Sequence, residues 1–307
     1  MIHIYYSTTK TGKIVERDQP VDGSWIHLDT PTDDELNIIA KQYNLDIDLL
    51  HDGVDPNESP RIERDGQAVY LFTRYCLPEQ EQLTTSPLLM IYVDSVVISV
   101  SRRPFTTLEA LENHGLFITS KRTQLILQVL SMINKGYKQR VNQASRRIWQ
   151  IRSQLQKTQI ANQDFISFID IEEDLNDFLL VLEPMAALLH SMTDGKFMRL
   201  YEDDKDLIED LSLGTEELTQ LAQSRLTTLR NIREAYSTIT ANNLNKVFKL
   251  MTSITILMSI FTLVTGVYSM NIALPAAHNP QAFWIILGIT SSFIAAAALF
   301  FKRHKWF

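Results

Sequence analysis

The sequence predicts an α+β domain followed by long helices and two C-terminal helices that cross a membrane. Three observations carry this reading. The 52 residues Leu250–Phe301 contain no Asp, Glu, Lys or Arg, although charged residues make up 21% of the chain. Short β-branched and aromatic runs are confined to roughly the first 118 residues. From Thr119 onward the apolar pattern turns helical and stays so.

The strand candidates in the first part are Ile2–Tyr6, Trp25–Leu28, Val69–Tyr75, Leu88–Val93 and Val96–Ser101, each bounded by turn residues. The last two flank Asp94-Ser95, a hairpin candidate. Thr32-Asp33-Asp34-Glu35 has the spacing of a capping box, with Leu36, Ile39, Ala40 and Tyr43 behind it at helical intervals. A short helix is expected over Ile47–His51. Asp55-Pro56-Asn57-Glu58-Ser59-Pro60 excludes regular structure, because each proline restricts its predecessor and lacks a donor.

In Lys121–Lys157, apolar residues recur at Leu125, Val129, Met132, Ile133, Tyr137, Val141, Ile148 and Ile151. Asn162–His190 reads as a second long helix that carries Pro184. Breaks are expected at Thr193-Asp194-Gly195 and at Leu213-Gly214-Thr215, with Thr215 capping a third helix. No Pro or Gly interrupts Thr215–Thr265, a rod of 51 residues and about 75 Å at 1.5 Å per residue. The expected organisation is therefore an α/β domain over 1–118, a long-helix hairpin over 119–213 and a stalk helix continuing into the first span over 214–267. A loop over 268–282, a second span over 283–301 and a basic tail over 302–307 complete it.

The apolar runs Leu250–Val267 and Phe283–Phe301 are each about one span long. Lys246 and Lys249 precede the first, and Lys302, Arg303 and Lys305 follow the second, whereas the connecting loop has no Lys or Arg. The positive-inside rule then puts both termini in the cytoplasm. Met1–Tyr6 has neither the basic region nor the apolar core of a signal peptide. The lone Cys76 rules out an intrachain disulfide, and its setting in an apolar run predicts a buried or half-buried strand residue. A net charge of −7 argues against nucleic acid as a partner. The chain has no Walker motif, no nucleophile–base constellation and no zincin helix, so no enzyme is expected.

Read in alternating steps of three and four, the rod carries one continuous seam. Its members are Glu217, Gln220, Ser224, Thr227, Asn231, Glu234, Thr238, Ala241, Asn245, Phe248, Thr252, Thr255, Ser259, Thr262 and Gly266, all polar or small except Phe248. A strict heptad repeat means helices wound around a common axis. Small residues in membrane helices also mark close packing, so the seam alone fits a packed dimer as well as a water-filled pore. Two features favour the pore. The polar character continues outside the membrane, where a packed coiled coil would carry Leu or Ile, and Phe248 sits where a hydrophobic constriction could gate by dewetting.

Tyr268-Ser269-Met270-Asn271 ends the first span, a short loop and second span follow, and a basic tail closes the chain. This layout resembles the CorA family of divalent-cation transporters, whose first span ends in Tyr-Gly-Met-Asn. Weaker echoes lie in Trp25-Ile26-His27-Leu28-Asp29-Thr30-Pro31 and Pro60-Arg61-Ile62-Glu63. The resemblance implies a homopentameric, funnel-shaped channel in a bacterial inner membrane, lined by five stalk helices and passing Mg²⁺, with Co²⁺ or Ni²⁺ as further cargo. It implies that Tyr268, Ser269, Met270 and Asn271 form the selectivity ring at the outer mouth. Glu234, Asn245, Phe248, Thr252, Thr255, Ser259, Thr262 and Gly266 would line the pore. It also implies regulation by cytosolic Mg²⁺ between subunits, for which Asp210 and Glu79 are the candidates. Two departures bear on selectivity: Ser269 stands in place of Gly, and the external loop lacks an acidic residue. A ZntB-like zinc branch of the superfamily, or a non-conducting structural or regulatory protein of the same fold, are the alternatives.

Overall fold

The computed structural model describes residues 1–8, 14–77, 85–93, 95–105, 118–155, 162–270, 281–304 and 306. By its internal contacts the chain divides into two compact units, Met1–Arg230 and Asn231–Phe307.

The N-terminal unit is built on a seven-stranded sheet in the order β2-β1-β3-β7-β6-β5-β4. Its strands are β1 (Ile2–Tyr6), β2 (Val15–Glu16), β3 (Trp25–Asp29), β4 (Arg61–Asp65), β5 (Ala68–Cys76), β6 (Thr85–Tyr92) and β7 (Val97–Ser101). Among the described residues only β3 and β7 pair in parallel. The expected runs all form strands. The hairpin pairs Tyr92 with Val97, while Asp94 at its turn lies outside the described residues.

Central strands read as continuous apolar runs because both sheet faces are covered. On one face α1 (Asp33–Tyr43) and α2 (Ile47–Asp52) bury Leu36, Ile39 and Leu50 against Ile26, Leu28, Phe72, Leu89 and Ile98. The capping box of α1 is formed, with Glu35 N donating to Thr32 Oγ1 and Thr32 N to Glu35 Oε2. The second hydrogen bond holds the Glu35 carboxyl below its ordinary range. On the other face α3 (Arg122–Leu155) and α4 (Asn162–Thr193) cover β5. Tyr137 Oη donates to Arg74 O at 3.2 Å, and Thr73 Oγ1 lies 3.8 Å from Met185 Sδ. The apolar residues read from the sequence along α3 are buried, Leu125, Val129, Tyr137 and Val141 at 0% exposure, except Met132, which is half-buried.

That second face also holds a buried polar row. Trp25 Nε1 donates to Ser99 Oγ at 2.8 Å, and the same hydroxyl reaches His27 Nδ1 at 2.8 Å. Burial, with His3 nearby, lowers His27 to about 3, so the ring is neutral. Cys76 ends β5 half-buried, and burial pushes its thiol up to about 12.

Three features depart from the sequence reading. The edge strands β2 and β4 were not expected: β2 has only two residues, and Arg61-Ile62-Glu63-Arg64-Asp65 is dominated by charge, as exposed sheet edges often are. Strand β6 begins at Thr85 rather than Leu88, continuing through Pro87. The largest correction concerns the third long helix. It does not start at Thr215: α5 runs unbroken over Glu202–Tyr268, straight through Gly214. The expected break at Gly195 is real (φ 66°), and Asp204 Oδ2 accepts from Tyr201 N at the true start. Thr215 caps nothing. Its Oγ1 donates to Leu211 O at 2.7 Å and accepts from Asn134 Nδ2 at 3.2 Å. A helix interior tolerates one glycine at about 1 kcal/mol, which packing against α3 offsets.

A methyl group at Gly214 would meet nothing closer than Asn134 Nδ2 at 3.5 Å, an ordinary contact. We therefore expect Gly214→Ala to stabilise the protein by about 1 kcal/mol in thermal or denaturant unfolding. A destabilisation of that size would show that the helix needs the glycine.

Candidate functional site

The site is organised by how α5 divides its surface. Within the N-terminal unit, Ile208, Leu211, Thr215, Leu218, Ala222, Leu226 and Leu229 are buried in steps of three and four. Gln223 Nε2 donates to Glu183 Oε1 at 3.0 Å, and Arg230 pairs with Glu172 at 3.4 Å, so this stripe is clamped to α4. The seam residues Glu217, Gln220, Ser224 and Thr227 are all exposed. At 100° per residue they lie nearly opposite the buried stripe.

The same division recurs inside the C-terminal unit, where α6 (Ala282–Arg303) is the second apolar helix. Ser253 is fully buried, and Leu257, Ile260 and Val264 are the less exposed positions above it; Thr290 and Phe301 are the buried residues of α6. The seam residues Thr255, Ser259, Thr262 and Gly266 lie roughly 150° around the helix from that stripe and are exposed. Asn245, Phe248 and Thr252 are likewise exposed, as is Glu234 near the N-terminal end of the unit.

The seam hydroxyls share one chemistry. Thr255, Ser259 and Thr262 each donate to the carbonyl four residues earlier, at 2.8–2.9 Å. Each hydroxyl hydrogen is thus used within the helix, and oxygen lone pairs are left to face outward. Neutral oxygens in a row suit a hydrated cation better than an anion.

At its C-terminal end, α5 finishes at Tyr268, and Ser269 N still donates to Thr265 O at 3.0 Å. Ser269 Oγ donates to Gly266 O at 2.8 Å. Ser269 is not among the residues with positive φ, so the serine extends the helical ladder where the family's glycine could leave it. Tyr268 and Met270 are exposed, and Asn271 lies outside the described residues. Of the two regulatory candidates, Asp210 is exposed on α5 and Glu79 lies outside the described residues. Among the described residues no group of three or more His, Cys, Asp or Glu side chains could hold a metal.

Residues 22–303 match the CorA-like Mg²⁺ transporter family. The chain belongs to that family. Its members are membrane transporters rather than enzymes, and the chain is a divalent-cation transporter of this kind. The cobalt/magnesium transport protein CorA of Methanocaldococcus jannaschii is 22% identical over 307 aligned residues, 92% of this chain and 90% of that protein. The complete structure of the CorA magnesium transporter from the same organism superposes with a TM-score of 0.86 at 19% identity, covering 100% of this chain and 99% of that one. The ZntB cytoplasmic domain from Vibrio parahaemolyticus superposes with a TM-score of 0.64 at 9% identity, over 78% of this chain and 98% of that one. At such identities these structures show a shared fold.

The division of α5 is testable by thiol chemistry. In a Cys76→Ser background, Thr255→Cys and Ser259→Cys should react with a membrane-impermeant thiol reagent, while Leu257→Cys should react far more slowly. Equal rates at all three would remove the distinction between the two faces.

Proposed function

We propose that the chain is a homopentameric channel that takes up Mg²⁺ into the cytoplasm, driven by the membrane potential. The observation that carries this reading is that the seam lies on the face of α5 away from its buried positions: opposite the stripe from Ile208 to Leu229 in the N-terminal unit, and roughly 150° from Ser253, Leu257, Ile260 and Val264 in the C-terminal unit. An exposed polar face inside a span calls for other copies and water.

Five seams around one axis would give a pore lined by Glu234, Asn245, Thr252, Thr255, Ser259, Thr262 and Gly266, with Phe248 as its hydrophobic constriction. Tyr268, Ser269, Met270 and Asn271 would form the outer ring, where amide oxygens meet the ion through its hydration shell. Both termini would be cytoplasmic, since every Lys and Arg near the spans lies on the same side. A divalent ion moving inward gains roughly 4.6 kcal/mol per 100 mV.

Magnesium is favoured over the zinc of a ZntB-like protein by ligand softness. The seam offers hydroxyl, amide and carbonyl oxygens, and the one cysteine carries a half-buried, neutral thiol. Asp210 and Glu79 are proposed as carboxylates that hold regulatory Mg²⁺ between neighbouring subunits.

The purified protein should have the mass of a pentamer; a dimer would sink the reading. In proteoliposomes Asn271→Ala should abolish Mg²⁺ flux. Ser269→Gly, which releases the last turn of α5, should raise flux or selectivity for Mg²⁺ over other divalents. If Asn271→Ala transports normally and Ser269→Gly leaves ion preference unchanged, selectivity lies elsewhere. Zinc flux exceeding Mg²⁺ flux would move the protein to the zinc branch.

A further inference from the structure

The start of α3, the start of α5 and the end of β6 meet around a cavity of about 510 Å³ that lies wholly within the N-terminal unit. Tyr92, Lys121, Arg122, Arg199, Tyr201 and Asp203 line it. None of them belongs to the seam or to the regulatory candidates.

The two guanidinium groups are held in place. Arg122 Nη1 donates to Val93 O at 3.1 Å, and the group lies over the Tyr92 ring, 5.3 Å from its centroid. Arg199 lies over the Tyr201 ring at 5.4 Å. Its carbonyl accepts from Thr123 Oγ1 at 3.1 Å, which ties the segment before α5 to the first turn of α3. A guanidinium resting on an aromatic face keeps N–H groups at its edge, in the fork that matches a phosphate. Lys121 adds an ammonium, and α3 adds its own backbone. The first bond within that helix runs from Leu125 N to Lys121 O at 2.9 Å, so the N–H groups of Arg122, Thr123 and Gln124 have no acceptor inside it. No acidic side chain stands in this turn. Cations at a helix N-terminus oppose its dipole, and an anion bound there offsets that cost.

The α5 side of the cavity narrows the ligand further. Asp204 is buried and spends Oδ2 on Tyr201 N at 3.0 Å, whereas Asp203 is exposed. A carboxylate repels a bare phosphate but accepts from a hydroxyl. Tyr201 is 62% exposed and offers a ring on which a base can stack. Phosphate donors, a hydroxyl acceptor and a stacking ring together match one class of small molecule.

We propose that this cavity binds a nucleotide. Its phosphates meet Lys121, Arg122, Arg199 and the first turn of α3, its ribose hydroxyls meet Asp203, and its base lies against Tyr201. The cytoplasmic placement of the N-terminal unit proposed above supplies the ligand's source, and the inference stands whichever divalent ion is carried.

The test uses the purified full-length protein in detergent and follows radiolabelled ATP by equilibrium dialysis. Free Mg²⁺ is held constant, so that chelation by the nucleotide changes nothing else. Saturable binding is expected, with inorganic phosphate or adenosine competing only at far higher concentration than unlabelled ATP. Lys121→Gln and Arg199→Gln should each weaken binding about tenfold, the loss of one charge-assisted hydrogen bond. Tyr201→Ala should weaken it as well, and Tyr201→Phe, which keeps the ring, should not. Lys196→Gln, at a basic residue that does not line the cavity, should bind as wild type. Thermal unfolding without nucleotide separates a lost site from a lost fold. Absence of saturable binding would overturn the proposal. So would folded Lys121 and Arg199 variants that bind as wild type does, or inorganic phosphate competing as well as ATP. No readout here depends on ion flux or subunit number, so this inference and the transport reading fail separately.

Discussion

The structure depends on one constraint: a helix has a single circumference, and α5 has already assigned half of it. From Ile208 to Leu229 its apolar stripe is used against the chain's own α3 and α4. From Ser253 to Val264 one side is again the less exposed. The seam on the other side is polar or small except at Phe248, yet within the span it is surrounded by apolar sequence. A soluble helix solves this by facing water. A membrane helix can do so only if other copies enclose that water, which is why the division of one helix bears on assembly.

Much of this was legible because period and burial coincide. The sheet's central strands were readable as apolar runs, and Thr32–Glu35 announced α1 through a local hydrogen-bond pattern that needs no tertiary information. The seam was equally visible, being a repeat along one helix. Illegible features were those whose cause lies in a distant neighbour. Strand β4 looks like a charged loop until β5 pairs with it. Gly214 looks like a stop until Asn134 from α3 is seen beside it. The stripe through Ser253 was hidden for a related reason. Ser253 is chemically like the seam serines, and only its burial separates it from them. The stacking of Trp306 on Phe301 was missed because it needs the tail to fold back. The one available signal was a tryptophan among basic residues just past a span.

Charge is distributed with the same asymmetry. Of 36 Asp and Glu none follows Glu234, and of 29 Lys and Arg five do, so residues 1–234 carry a formal −12 and residues 235–307 a formal +5. The acidic body favours cations in its neighbourhood, whereas the span offers them only dipoles.

That leaves the lysines beside the seam as an electrostatic problem for a pentameric channel. An ammonium about 10 Å from a divalent ion, one helix diameter away, opposes it by roughly 3 kcal/mol at an effective dielectric of about 20. This is comparable with the roughly 4.6 kcal/mol that 100 mV supplies to the same ion. Several such lysines around one axis would therefore raise a local barrier of that size in the path, without changing the driving force between the two compartments.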